Sequence, residues 1–565
     1  MSVQRDAPRL IGSQLRRFSV LNGVDDPGLK AIARMGHHFC LPGGRVMPRE
    51  GCADRALLFV LNGAVAVEVE DAHGGSERVA LVGAGGTLGE MSLMTDEPHS
   101  TRLVAHRDSE IFALPRAAFE RVSKSHPALL RNLTLLLIER LRRTTRRVAI
   151  RHAGRAVALV IDHHVAGAEA FKADLLETLA RQGVTASAFT SVDAGRNADD
   201  FHNAESGNDL VLYVARREET TWTRQALRQA DRALRVTTAS LESVEQPAEP
   251  DWARPLGDRI VLCPRAGSLP CPALQGLRHQ VREGVTSDLV RLARHLSGRA
   301  IGVVLSGGGA RGFAHLGVLK ALGEAGFVPD AIGGTSMGAI IAAGIACEWS
   351  ADEQAARMRE AFVTSNPISD FTVPTVAFFA GRKVRRLLNT NFGEKQIQDL
   401  PLPYFCITSD LTLGRDSAHR TGLLAERLTA TVALPGVLPP VLIDGHVHVD
   451  GGVMNNLPVD HMARMAPGGV VAIDVSGDTS LHPSSGGLSA PGILAILIRT
   501  GTVGNEWQRR DARRAAHIVI DPPVQGIGFT EWSAFDRAVA SGYETTLRRL
   551  DLEPDLMRTL RASAD

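Results

Sequence analysis

Apolar positions recur along this chain with three different periods, and each period predicts a different kind of structure. Between residues 15 and 122 the apolar runs are short and extended. Leu57-Leu58-Phe59-Val60-Leu61 and Ala64-Val65-Ala66-Val67-Glu68-Val69 flank Asn62-Gly63, which predicts a hairpin. Runs at 79–82 and 110–114 continue the β pattern. From 127 to 147 the period becomes helical, with Leu129, Leu130, Leu133, Leu136, Leu137 and Leu141 on one face. Residues 155–270 alternate strands (156–161, 210–214, 234–237, 259–263) with helices (168–182, 221–232), and 246–255 reads as a loop. That alternation predicts a Rossmann-like α/β unit. A helix over 280–296 is expected to lead into the final third of the chain.

In the final third the strands read as near-continuous apolar runs, as buried parallel strands do. Two of them, 301–305 and 328–332, each end in a glycine-rich turn that opens an apolar helix, over 313–325 (ended by Gly326) and 337–347. The order β–turn–α–β–turn–α places both turns at carboxyl ends of parallel strands, where α/β proteins bind ligands. A further strand is expected at 404–408, and a hairpin at 441–449 turning at Asp444-Gly445 and delivering Asp450.

The first turn is Gly307-Gly308-Gly309-Ala310-Arg311-Gly312. Its N–H groups form a nest for an anion, either a phosphate or the oxyanion of a tetrahedral intermediate. A dinucleotide fold would place an acidic residue at the end of the next strand. Asp330 instead precedes Ala331-Ile332. The second turn, Gly334-Thr335-Ser336-Met337-Gly338, fits a nucleophile elbow with Ser336 at its tip, or a glycine-rich turn with a helix-capping serine. Downstream stands Val447-His448-Val449-Asp450-Gly451-Gly452.

GGGARG, GTSMG and DGG, in that order, resemble the patatin-like phospholipases. The resemblance implies a Ser–Asp dyad: Ser336 as nucleophile, Asp450 as proton acceptor, Gly307 to Gly312 as oxyanion hole, and Gly334 and Gly338 as elbow glycines. Gly86-Thr87-Leu88-Gly89-Glu90-Met91-Ser92-Leu93, followed by Pro98-His99-Ser100-Thr101, resembles the phosphate-binding cassette of cyclic-nucleotide-binding domains. Gly89 and Glu90 match that cassette, and Ser100 stands beside the position of its arginine. That position is held by His99, which lacks the permanent planar fork of arginine, so the expectation is the fold with weak or no cyclic-nucleotide binding. The whole order is similar to the neuropathy target esterase group of lysophospholipases over roughly residues 20 to 475. It implies a lysophospholipid or phospholipid substrate, possible control by the first domain, and neither cofactor nor metal.

Composition sharpens this reading little. A length of 565 residues suits about three or four domains, and a net charge of +1 gives no argument for bulk attraction to nucleic acid or to anionic lipid. Six scattered cysteines without a C-x-x-C pair read as reduced thiols of a cytoplasmic protein. The first residues show no signal-peptide pattern, and no run reaches the length of a spanning helix, so any membrane contact is expected to be peripheral. The basic cluster Arg140, Arg142, Arg143, Arg146 and Arg147 reads as a solvated helix end or as a contact for anionic lipid. Phe371, Phe378 and Phe379 read as an acyl-chain cover or an ordinary packed loop. Arg311 is expected to orient its loop by pairing with a carboxylate, or to meet a phosphate head group.

The expected fold class is multidomain. A β-barrel cyclic-nucleotide-binding-like domain with a C-terminal helix covers 15–150, a Rossmann-like α/β domain 155–297, and a patatin-like α/β hydrolase 298–565, with its motif core at 301–461. No Walker-type phosphate loop occurs in the middle unit, so no nucleotide hydrolysis is assigned to it. Two other functions compete with the esterase. His446, His448 and Asp450 alternate on one strand face and would suit a metallohydrolase. A signalling or scaffold protein with an inactive hydrolase module is the third reading, against which the intact Ser336, Asp450 and glycine run argue.

Overall fold

The structure, a computed structural model, describes residues 14–47, 56–70, 76–94, 101–145, 155–163, 165–196, 198–218, 220–238, 258–263, 276–477 and 493–553. His99, Ser100, Arg146, Arg147 and the 246–255 loop lie outside the described residues, as do the side chains of Arg140, Arg142 and Arg143. Cys40, Cys347 and Cys406 are free thiols.

Among the described residues seven strands build the first unit: β1 (His37–Leu41), β2 (Ala56–Asn62), β3 (Ala64–Glu70), β4 (Ser76–Gly83), β5 (Thr87–Leu88), β6 (Arg102–Ala105) and β7 (Ser109–Pro115). They form two antiparallel sheets, in the orders β1-β7-β2-β5 and β4-β3-β6. The hairpin expected at Asn62-Gly63 does not form, because β2 and β3 lie in different sheets. The reason is burial on both faces of β2. Leu57, Phe59 and Leu61 pack towards the helices, while Leu58 and Val60 pack into the core shared by the sheets with Val65 of β3. Gly63, at φ +86°, turns the chain between layers, and the Ala64 N–H donates to Ser109 Oγ at 3.0 Å. Helix Ala128–Thr145 follows, with Leu129 and Leu133 buried.

The middle unit is a six-stranded parallel sheet of β8 (Ala156–Ile161), β9 (Ala186–Phe189), β10 (Leu210–Arg216), β11 (Arg232–Thr238), β12 (Asp258–Cys263) and β13 (Arg278–Arg282), in the order β13-β12-β11-β8-β10-β9. Two expectations need correction here. Residues 280–296 are not one helix: β13 ends at Arg282 and the helix runs over Thr286–Leu296. Helix Thr220–Gln229 stops short of Arg232, which opens β11.

The last unit contains β14 (Ile301–Leu305), β15 (Ala331–Thr335), β16 (Tyr404–Asp410), β17 (Arg415–His419), β18 (Val441–Ile443), β19 (His446–Asp450), β20 (Gly469–Ile473) and β21 (Ile518–Ile520). The sheet order is β18-β19-β16-β15-β14-β20-β21, with β17 paired to β16. Strands β16, β15, β14, β20 and β21 run parallel, whereas β17, β18 and β19 pair antiparallel at one edge, so the sheet is mixed. The strand expected at 328–332 sits three residues later and runs through Thr335 into the serine turn. Helix Ala314–Glu324 crosses helix Phe535–Leu552 at close range. A Cβ on Gly317 would lie 2.0 Å from Val539 O, and one on Gly542 would lie 2.1 Å from Ala314 O.

The units touch through polar contacts that range from buried to exposed. The turn between β6 and β7 sets Arg107 against Glu205 at 2.8 Å and Asp231 at 3.1 Å, and His106 Nε2 lies 2.6 Å from Asp231 O. On the other side, Arg282 bridges Asp288 at 2.7 Å and Glu348 at 2.6 Å, and Arg294 pairs with Asp330 at 2.6 Å. Asp330, the acid that a dinucleotide site would have needed, is thus buried in a structural pair and also accepts from the Ile301 N–H at 2.8 Å. Among the described residues no helix is long and apolar enough to cross a membrane.

Candidate active site

The turn after β15 forces Ser336 into φ 53°, ψ −125°, a conformation that costs a non-glycine residue about 1–3 kcal/mol and recurs at nucleophile elbows. Its neighbours explain why only glycine fits beside it. A Cβ on Gly334 would lie 2.5 Å from Leu305 O, and one on Gly338 would lie 2.4 Å from Leu305 O and 2.5 Å from Ser306 O. The elbow is therefore pressed against the end of β14. Helix Met337–Ala346 starts directly behind Ser336 and is buried along nearly its whole length. The Ser336 N–H donates to Thr431 Oγ1 at 3.0 Å, and Thr431 Oγ1 in turn donates to Ile407 O.

Asp450 closes β19 at the point where the chain leaves the sheet into a short 3-10 turn at Gly451–Val453. Its N–H donates to Ala433 O at 2.9 Å, which fixes the backbone. Ser336 Oγ donates to Asp450 Oδ2 at 2.8 Å, and the Gly452 N–H donates to Asp450 Oδ1 at 2.7 Å. Burial pushes the Asp450 carboxyl up from 3.8 to about 6, and those two hydrogen bonds resist the rise. Among the described residues no histidine is hydrogen-bonded to Ser336 or Asp450.

The trio proposed for a metal is not assembled. His446 Nδ1 lies 2.8 Å from Asp410 Oδ2, and His448 Nδ1 lies 2.8 Å from Thr408 Oγ1. The carboxylate that joins the two histidines is Asp410 of β16, which sits opposite His448. Asp450 shares their strand but stands at its end, where both its oxygens meet the elbow and the Gly452 turn.

The glycine run ends in a 3-10 turn at Gly309–Phe313. Its backbone groups divide into two sets. The Gly307 N–H donates to Asn456 Oδ1 at 3.1 Å, the Ala310 N–H to Phe529 O at 2.8 Å, and the Arg311 N–H to Gly308 O at 3.3 Å. Ala310 is thereby removed from the donors expected for an oxyanion. The N–H groups of Gly308, Gly309 and Met337 have no partner among the described residues. A Cβ on Gly307 would lie 3.1 Å from Ser336 Cβ, so the loop runs directly over the serine. Arg311 reaches backwards, donating to Ser476 O at 2.7 Å and Ile527 O at 2.9 Å.

Sequence reasoning gave Asn456 no role. It holds the glycine loop from both sides, accepting from the Gly307 N–H and donating to Gly307 O at 3.2 Å and Ser476 Oγ at 2.9 Å. Thr431 and Met337 were missed for the same reason, since each reaches the site through a tertiary contact or a helix start with no motif of its own. The position of Asn456 four residues after the DGG motif was the one available signal.

Ser336 and Asp450 lie at one wall of an apolar cavity. Its other walls include Ile340, Phe362, Ile368, Val384, Leu388, Val437, Phe529 and Trp532. Phe371, Phe378 and Phe379 are not among the lining residues, and the wall on that side comes from Pro367, Ile368 and helix Arg382–Phe392. In the first unit Gly89 takes φ +81° and Glu90 is buried at the start of helix Glu90–Met94.

Residues 303–463 match the family described as patatin-like phospholipase, and residues 40–126 match the cyclic nucleotide-binding domain. Residues 303–463 thus carry a patatin-like phospholipase domain. Patatin-like phospholipase domain-containing protein 6 of Homo sapiens is 31% identical over 596 residues, covering 89% of this chain and 43% of that protein. Lysophospholipase nte1 of Aspergillus fumigatus is 27% identical over 623 residues, covering 88% of this chain and 41% of that protein. An uncharacterized NTE family protein of Mycobacterium bovis is 28% identical over 601 residues, covering 99% of this chain and 100% of that protein. The chain thus spans less than half the length of the two relatives with phospholipase names. In the patatin-like domain the matched span holds the glycine run, the elbow, Asp450 and Asn456.

Proposed function

We propose that this chain is a carboxylic ester hydrolase that cleaves acyl esters of lysophospholipids or phospholipids through an acyl-enzyme on Ser336. The observation that carries the reading is the 2.8 Å hydrogen bond from Ser336 Oγ to a buried Asp450 at the wall of an apolar cavity. Residues 298–565 are assigned to the hydrolase, 155–297 to a scaffold unit and 15–150 to the cyclic-nucleotide-binding-like unit.

Asp450 accepts the Ser336 proton as Oγ attacks the acyl carbonyl carbon. The carbonyl oxygen takes the electron pair and is met by the N–H groups of Gly308, Gly309 and Met337, at the positive end of helix Met337–Ala346. Collapse of the intermediate breaks the ester C–O bond, and Asp450 returns the proton to the departing alcohol. Water then attacks the acyl-serine with Asp450 as base, releasing the fatty acid and restoring Ser336. An ordinary aspartate near ~4 is a weak base for this task. Burial that lifts Asp450 to about 6 improves the match at neutral pH while leaving it ionised there. The apolar cavity accepts the acyl chain.

The test is fatty-acid release from a lysophospholipid by wild type, Ser336→Ala and Asp450→Asn, each with and without EDTA. Loss in both variants and indifference to EDTA are expected. Activity that survives Ser336→Ala but is abolished by EDTA would instead favour the metal reading at His446 and His448.

A further inference from the structure

The segment between the cavity wall and helix Arg382–Phe392 has an unusual surface. Phe371, Val373 and Val376 are 74%, 75% and 64% exposed, although large apolar side chains rarely cluster in water. They are held out by an ordered loop. Phe371 bridges Phe379, the Thr372 N–H donates to Phe378 O at 3.0 Å, and the Ala380 N–H donates to Asp370 O at 2.9 Å. The Phe378 and Phe379 N–H groups donate to Gly436 O and Val437 O at 2.9 and 3.1 Å, which ties the loop base to the cavity wall.

The helix that follows carries two functions on two faces. Val384, Leu387 and Leu388 face the cavity. Arg382, Lys383, Arg385 and Arg386 are exposed, and none of them forms an ion pair among the described residues. Asp370 is the one acidic residue between 366 and 386, and its carboxylate accepts from the Arg382 and Lys383 backbone N–H groups. A nearly neutral chain thus concentrates cationic and apolar surface at one rim of its cavity.

We infer that the 371–376 loop and the exposed face of helix Arg382–Phe392 form a docking surface for an anionic phospholipid bilayer. This rests on the proposed lipid-ester reading, and it names where that substrate is met. Three apolar side chains enter the head-group boundary while four cations meet lipid phosphates, the two signals that together give stable peripheral binding. A docked bilayer then borders the cavity wall formed by Ile368 and Val384, and an acyl chain reaches Ser336 without crossing water.

The experiment is co-sedimentation of the full chain with phosphatidylglycerol vesicles and with phosphatidylcholine vesicles. Wild type is compared with Phe371→Ser/Val373→Ser/Val376→Ser and with Arg382→Glu/Lys383→Glu/Arg385→Glu/Arg386→Glu. Wild type is expected to partition to phosphatidylglycerol, and each variant to bind about tenfold or more weakly. Hydrolysis of a soluble short-chain ester should be unchanged in both. Equal partition of wild type and variants, or no partition of wild type, overturns the inference. So does a variant that turns a dimer into a monomer while vesicle binding stays intact, since the loop would then serve a second copy of the chain. Ser336→Ala should sediment like wild type. If it also keeps full esterase activity, the proposed chemistry fails while the docking result stands.

Discussion

In the proposed mechanism Asp450 must do two things that pull against each other, and its surroundings set the balance. The ordinary aspartate value of 3.8 rises to about 6 because the carboxylate is buried, a difference worth on the order of 3 kcal/mol. The sign matters for both stability and rate. Asp450 is protonated in both folded and unfolded chains below pH ~4; from there to about 6 the unfolded chain ionises while the buried group holds its proton, so the fold loses stability over that window and no further above it. Activity runs the other way. The proposed acyl transfer needs the ionised carboxylate, so kcat/KM should fall about tenfold per pH unit below about 6 and level off above it. An acid limb near the ordinary aspartate value would contradict the burial argument. Asn456→Ala should release Gly307 from both of its bonds and lower kcat by up to about a hundredfold, through a misplaced oxyanion loop. An unchanged kcat would remove Asn456 from the site. The hydrogen-bonded pairing of Ser336 with Asp450 was foreshadowed because each sits inside a motif whose glycines are sterically required. Asn456 and Thr431 were not, because their roles arise where distant segments meet.

The decisive element contact is the elbow against β14. Gly338→Ala places a methyl within 2.4 Å of Leu305 O, where backbone must move, so stability in urea should fall by about 2–4 kcal/mol. A variant that unfolds like wild type would mean the elbow has room. Helix Arg382–Phe392 offers a second test: Leu388→Trp should fill part of the cavity and shift preference towards shorter acyl chains, read as kcat/KM against chain length. Elements with strong periodicity were legible to within a few residues, including β8, β14 and helix Met337–Ala346. Strands β9 and β13 were not, since both are sheet edges, and β13 reads Arg-His-Gln-Val-Arg, where polar residues are buried by neighbours instead of by their own character. The failed hairpin at Asn62-Gly63 has a related cause. A period of two reports burial, but β2 is buried on both faces, and nothing local says which sheet the next strand joins.

At the scale of the molecule, the first and middle units meet through Arg107, which is buried between Glu205 and Asp231. Arg107→Ala leaves two half-buried acids without their cation and should cost about 1–3 kcal/mol in denaturant unfolding. No change would mean the contact is dispensable. The order of three units was legible from the change in period along the chain, whereas the polar contacts between them were not, because the partners are 36 to 98 or more residues apart and meet only in the fold. The account of the first unit also has a solution test. His99→Arg should create or strengthen cyclic-nucleotide binding in calorimetry, and tight binding by the wild type would contradict the weakened site read from that histidine.

The central claim is that the acyl group passes through Ser336. Acid quenching during turnover of a lysophospholipid, followed by mass spectrometry of the peptides, tests it most directly. The account predicts an adduct of acyl-chain mass on the peptide containing Ser336 in the wild type, and none in Ser336→Ala or Asp450→Asn. Turnover with no adduct at Ser336, or an adduct on another residue, would contradict it.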